Sequence, residues 1–295
     1  MSASARLKLT ARPARSLQEL RRTIVSRIGW VACGLALLCV IGPLLDIVGV
    51  VAYRGLAAFS IKLFTSTSNG VTGGLLNAIE GTFIISLFGM LIAVPVGIGA
   101  GIYLSEYGSN RVGGVIRFLS DVLTGTPSIV LGYFSYIVFV TSLGWGFSLI
   151  AAAITLAILI VPYLARITEL ALRQVPVSMR EAAFALGATE PTVVFRVILP
   201  GAATGVMTGA LLALAISVGE TAPLIYTAGW SNFLWNGRFT NEPVGYLTYV
   251  IWTFIDQPNA QSHALAFAAA FLVMMVVLAI NIGVRLTVRR STRVV

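Results

Sequence analysis

Six apolar runs constrain this 295-residue chain more than any other feature. Each is long enough to cross a bilayer core of roughly 30 Å as a helix of about 20 residues. They are expected at about 28–52, 77–104, 115–141, 147–165, 201–226 and 264–284. A backbone in hydrocarbon has to satisfy its amides internally, so such runs specify an all-α polytopic membrane protein with six transmembrane helices. With 57% of residues hydrophobic and only 11% charged, a soluble domain could not bury the apolar surface. The net charge of +9 would point to nucleic acid in a soluble chain, but the basic residues sit in short segments between the runs. That is a topology signal, so membrane lipid and no nucleic acid is the expected surrounding.

Residues 1–27 carry Arg6, Lys8, Arg12, Arg15, Arg21, Arg22 and Arg27 against the single acid Glu19, as a cytoplasmic tail does. The run that follows is too long for the apolar region of a signal peptide and has no small-residue cleavage site after it, so it is read as a retained span. A membrane domain is expected over 28–286 and a second basic tail over 287–295, with Arg289, Arg290 and Arg293. Of the 20 lysines and arginines, the predicted outer segments hold only Arg54, Lys62 and Arg238. Both termini are therefore expected inside. Cys33 and Cys39 share one span out of phase and are read as small apolar packing residues. His263 has no acidic or cysteine neighbour, so no metal site is expected.

Glycine and proline mark the rest of the membrane region. Gly97 and Gly101 form a GxxxG pair, and Gly201, Gly205 and Gly209 form a ridge at strict four-residue spacing; both patterns let helix backbones approach closely. The third run is interrupted by Gly125-Thr126-Pro127-Ser128. Two readings stand, a proline kink whose freed carbonyls are taken by hydroxyls, or a broken helix lining a solute pathway. The fourth run is nearly free of polar groups. The loop over 227–259 carries Trp230, Phe233, Trp235, Phe239, Tyr246, Tyr249, Trp252 and Phe254, either an aromatic belt or a docking face for a soluble protein. Near the outer half of the fifth run lies Glu220, where a carboxylate at depth costs at least about 2.5 kcal/mol. It is the strongest site candidate on physical grounds, the alternative being an acid close enough to the interface to stay hydrated.

Between runs four and five, Ser178 and Glu181 have the spacing of a capping box, and Gly187 supplies a left-handed helix stop. A helix of about two turns is expected, then a bend, a second short helix over 190–198, and Pro200 at the entry to span five. Arg166, Arg173, Arg180 and Arg196 flank this segment.

Glu181-Ala182-Ala183, Gly187, and Val197-Ile198-Leu199-Pro200 at the following spacing resemble the EAA signature of permease subunits of ABC importers. That resemblance implies a type I importer permease fold, in which segment 178–200 is a coupling helix seated on an ATPase subunit, with Arg180, Glu181, Ala182, Ala183, Leu186, Gly187 and Ala188 at the contact. Val218-Gly219-Glu220-Thr221-Ala222-Pro223-Leu224, the run from Val94 to Tyr107, and Gly125 to Gly132 look like the PstA branch of that family, phosphate-importer permeases of the bacterial inner membrane. The resemblance implies a PstC-like second permease, two PstB-like ATPases that carry ATP and Mg, and a PstS-like phosphate-binding protein. No cofactor is expected on this chain. Many relatives have an arginine where this chain has Ile216, which moves any anion-pairing role elsewhere, with Arg117 or a basic group of the sister permease the alternatives. Glu220 is then read as a gating or charge-pairing residue, with Thr221, Ser217, Thr126 and Ser128 as hydroxyl donors. There is no GxxxxGK[ST] motif and no lysine after Lys62, so P-loop ATP hydrolysis is excluded and no catalytic residue is assigned. Held against this reading are a permease for another oxyanion or small solute, an ion-coupled secondary carrier in which Glu220 takes the proton, and a membrane scaffold or sensor.

Overall fold

The computed structural model of the protein describes residues 17–70 and 72–291. The elements are helix α1 (Leu17–Ala57), a one-turn helix α2 (Lys62–Thr65), and a two-stranded hairpin of β1 (Ser68–Asn69) and β2 (Thr72–Gly73). Helices α3 (Leu76–Glu106), α4 (Arg111–Gly125), α5 (Ser128–Ser135), α6 (Leu149–Arg173) and α7 (Val177–Ala185) follow. Then come α8 (Glu190–Gly219), α9 (Ala222–Thr227), α10 (Leu247–Phe254) and α11 (Ala260–Ser291). Among the described residues five helices are long and apolar enough to span, α1, α3, α6, α8 and α11, and α4 with the segment after it makes a sixth if a broken pair is counted as one. The tails expected over 1–27 and 287–295 lie partly outside the described residues, and 17–27 are the first turns of α1.

The chain divides into two units, one ending at Val50 within α1 and one beginning at Val51. In the first, Trp30, Leu38, Val40 and Leu45 are exposed, as on a helix whose solvent is lipid.

In the second unit α6 is the central element. Its buried face runs from Leu149 to Leu172, and glycines press on it from two sides. A Cβ added to Gly97 of α3 would stand 2.6 Å from Leu164 Cβ, and one on Gly101 would collide with Thr168. These pairs keep a constant offset, so α3 and α6 run parallel. A Cβ on Gly201 of α8 would meet Val175 at 3.4 Å, on Gly205 would stand 2.8 Å from Ala171 Cβ, and on Gly209 would collide with Ile167. Here the numbers descend as their partners ascend, so α8 runs antiparallel to α6. Without a hydrophobic drive between helices in lipid, such close approach supplies the packing energy through dispersion. Further buried clusters join α10 to the start of α3 and to α11 through Leu247, Val250, Phe254, Leu265 and Ala269, and join α7 to α6 and α8 through Ala183, Leu172 and Ile198.

Several boundaries differ from those read in the sequence. Span four continues two turns beyond 165, to Arg173. Span three is no straight helix: α4 and the segment from Ser128 to Ser142 meet at 101° across Thr126-Pro127. Pro127 is extended, at ψ 131°, and withholds the N–H that would have continued α4. Span five begins at Glu190, well before Pro200, so residues 190–200 belong to α8. Pro200 cannot donate to the fourth carbonyl back, and the helix widens just ahead of it into a π turn over Val194–Ile198, where Leu199 N–H reaches Val194 C=O. The same span breaks at Glu220-Thr221, with Glu220 at ψ 135°, and restarts as α9. The loop over 227–259 is partly folded inward. Trp230 stacks on Tyr249 at 4.7 Å between ring centres and Trp235 packs edge-on against Phe88 and Phe239, while α10 inserts beside α3 and α11. Phe233 and Trp252 remain exposed.

Candidate functional site

Two places among the described residues hold most of the residues singled out in the sequence. The first is α7 with the bend after it. The expected capping box is absent: Pro176 precedes the helix, no side chain caps it, and Ser178 already lies inside the first turn. The stop is formed by Gly187, at φ +80°. Gly187 N–H donates to Phe184 C=O at 2.9 Å and Ala188 N–H to Ala183 C=O at 3.1 Å, the paired bonds of a Schellman motif. This turn frees one face. Glu181, Ala182, Phe184, Leu186 and Gly187 are exposed, Leu186 at 89%, while Ala183 is buried and Ala188 half-buried against the body. Arg180 points back toward the membrane helices, donating to Glu106 of α3 and, at 2.9 Å, to Leu172 C=O of α6.

The second place is where spans three and five are broken. The unwound stretches come together around a cavity of about 220 Å³ lined by Leu123, Thr124, Thr126, Ser128, Leu159, Tyr163, Ile216 and Glu220. Broken helices side by side, with unwound backbone facing a cavity, are how membrane proteins present polar groups at depth. Glu220 C=O accepts from Thr248 Oγ1 at 2.7 Å, and Thr82 Oγ1 accepts from Leu247 N–H at 2.8 Å, so α10 closes the break from behind. The Glu220 carboxylate has no ion pair among the described residues.

Of the residues singled out in the sequence, Thr126, Ser128 and Glu220 line this cavity together. Ser217 does not. Ser217 lies about 100° round the helix from Ile216, in a packed nest with Ser86 and Tyr246 that Glu220 also borders. There the hydroxyls of Ser217 and Tyr246 are buried without hydrogen-bond partners. Thr221 lies outside the cavity lining and opens α9 through its carbonyl, which accepts from Leu224 and Ile225 N–H.

Arg117 is also elsewhere. Its Nε donates to Glu169 at 2.8 Å, and its two terminal nitrogens donate to Gly108 C=O and Leu104 C=O at 2.7 Å each. Its donors are committed at the end of the bundle that carries α7, so it cannot pair with an anion or with Glu220 at the break. The sequence reading missed Glu169, 1% exposed and contacted by Arg117, Arg166 and Arg173. The signal was the spacing of Arg166, Glu169 and Arg173, one helical turn apart on each side. Also missed were Tyr163 and Thr248, which carry no motif. No cluster of three potential metal ligands occurs among the described residues.

The family model described as "Binding-protein-dependent transport system inner membrane component" matches residues 93–293. The chain belongs to this family. It is 44% identical over 267 residues to the phosphate transport system permease protein PstA 2 of Mycobacterium bovis, covering 90% of this chain and 88% of that one. It is 41% identical over 222 residues to PstA of Haemophilus influenzae, covering 72% and 76%. Its identity to the probable ABC transporter permease YqgI of Bacillus subtilis is 33% over 233 residues, covering 76% and 79%. Among solved structures, a chain of the inward-facing MetNI methionine ABC transporter superposes with a TM-score of 0.57 at 22% identity, covering 79% of this chain and 99% of that one. That likeness shows the fold, an importer permease of the type the EAA spacing implies, and the family makes the chain a multi-pass inner-membrane transport component.

Proposed function

We propose that the chain is the membrane-spanning permease subunit of an ATP-driven, binding-protein-dependent importer of inorganic phosphate. One observation carries the reading. A helix with EAA spacing, held outside the membrane bundle, leaves Phe184 and Leu186 bare beside Glu181, in a chain 44% identical to a named phosphate permease. Apolar side chains exposed to water in a row are characteristic of an interaction face, and the partner of this chemistry is an ATPase subunit. ATP and Mg²⁺ sit on two such subunits, and this chain binds no cofactor and catalyses no reaction. The α7 segment and the two termini are read as cytoplasmic, in keeping with the arginines around them. The opposite end, with Phe233 and Trp252 exposed, receives a phosphate-loaded binding protein.

Within the bilayer the broken helices at Thr126-Pro127 and Glu220-Thr221 form half of a pathway whose other half is a sister permease. A bare carboxylate does not hold an anion, so Glu220 works as a gating residue that pairs with a cation from across that seam. Thr126, Ser128 and Tyr163 supply hydroxyl donors to the passing oxyanion. Alternating access follows when ATP draws the α7 segments together and rocks the bundle.

The test is co-purification in mild detergent followed by uptake in cells. An ATPase, a second permease, and ATP hydrolysis raised by phosphate-loaded binding protein are the expected result. Glu181→Lys is expected to abolish uptake while normal amounts of folded protein stay in the membrane. A chain that purifies without a nucleotide-binding partner, or that still takes up phosphate with Lys at 181, would overturn the proposal.

A further inference from the structure

Glu106 and Glu169 lie at the arginine-rich end, away from the Glu220 cavity, and each fastens one helix to another. Glu169 of α6 accepts from Arg117 of α4, and Arg117 in turn holds the carbonyls of Leu104 and Gly108 at the end of α3. Arg166 and Arg173, on α6 itself, neutralise the same carboxylate at 3.0 and 2.8 Å. Glu106, the last residue of α3, accepts from Arg180 of α7, and Arg180 also holds Leu172 C=O of α6. Two arginines thus bolt α7 and α4 to the same pair of helix ends.

The rest of the geometry gives this arrangement a use. Within α7 only Ala183 is buried, so Arg180 is its main polar attachment to the bundle. Arg117 sits near the middle of α4, and Leu123, Thr124 and Thr126 at its far end form one wall of the cavity that holds Glu220. From Arg117 to Thr124 is roughly 10 Å along a continuous helix, and the bond network stops at the 101° break beyond it. Ion pairs on buried carboxylates add little stability over apolar packing of the same volume, and holding a register is their best-attested use.

We infer that Glu106 and Glu169 are positioning residues of a two-point clamp that carries displacement of the α7 segment through α4 to the Thr126 wall of the cavity. The inference rests on the importer reading and specifies its transmission. Neither carboxylate touches solute or nucleotide.

The experiment uses the assembled complex with its ATPase partner. Thr126→Cys, in a chain with Cys33 and Cys39 replaced by alanine, is labelled with a water-soluble maleimide, with and without a non-hydrolysable ATP analogue. The parent is expected to change its labelling rate with nucleotide. Glu106→Arg is expected to shrink that change by about fivefold or more, the size of a typical coupling, and Glu106→Arg with Arg180→Glu to restore it. Arg117→Lys, which keeps the charge but loses the fork across the two carbonyls, is expected to shrink it as well. A response unaltered in Glu106→Arg and Arg117→Lys, or one that fails to return in the exchanged pair, would overturn the clamp while leaving the importer intact. A parent that assembles with its ATPase yet shows no response to nucleotide would overturn the importer reading and the clamp together.

Discussion

Glu169 and Glu220 are both carboxylates within apolar helices, and their surroundings are opposite. Glu169 is 1% exposed and meets arginines from two helices. Glu220 stands at a break, half-buried on a cavity where Thr126, Ser128 and Tyr163 sit among leucines and isoleucines, with no ion pair among the described residues. Where the bundle needs a fixed joint, the charge is neutralised inside the subunit. At the break, no arginine or lysine among the described residues pairs with the acid. Ile216, one turn before Glu220, lines the same cavity and offers the acid no charge.

Stability measurements would break or sharpen this contrast. Glu169→Ala removes three charge-assisted hydrogen bonds from a buried acceptor while leaving the arginines partly exposed, and is expected to destabilise the folded bundle by about 1.5–3 kcal/mol, read as a lowered unfolding midpoint in detergent. A midpoint shift under a degree would mean the joint is not load-sharing. Gly209→Val drives a branched side chain into Ile167 and is expected to cost about 1–3 kcal/mol by overpacking, measured the same way. Smallest should be Glu220→Gln, within about 0.5 kcal/mol because no ion pair is lost, while phosphate uptake falls sharply. A loss of stability like that at Glu169 would show that Glu220 is a structural acid.

How much of this was legible in the sequence follows from the length of the signal. Six apolar runs sum over many residues, and both glycine ridges repeat every four, so spans and ridge positions could be read directly. Single-residue signals fared less well. Ser178 and Glu181 have capping-box spacing, but Pro176 starts the helix earlier and takes the position the serine would need. Pro200 looked like a span entry, yet a π turn absorbs it within α8. Thr126, Ser128 and Glu220 were individually visible as polar groups in apolar runs. Their meeting in one cavity depends on two breaks, which no local pattern encodes. Arg117 was visible as a charge, and its true partner was not, because Glu169 lies 52 residues away in a run whose apolar stretch ended before it.

The ridge of Gly201, Gly205 and Gly209 against Val175, Ala171 and Ile167 has a mechanical consequence. The seam has a pitch of four residues, so α8 can index along α6 only in steps of about 6 Å. One step would set Gly205 against Ile167 and Gly201 against Ala171. Shorter slips present Val206 or Met207 to Ile167, where even a Cβ on Gly209 would collide. A joint with such detents resists gradual creep, and the two helices travel as one strut.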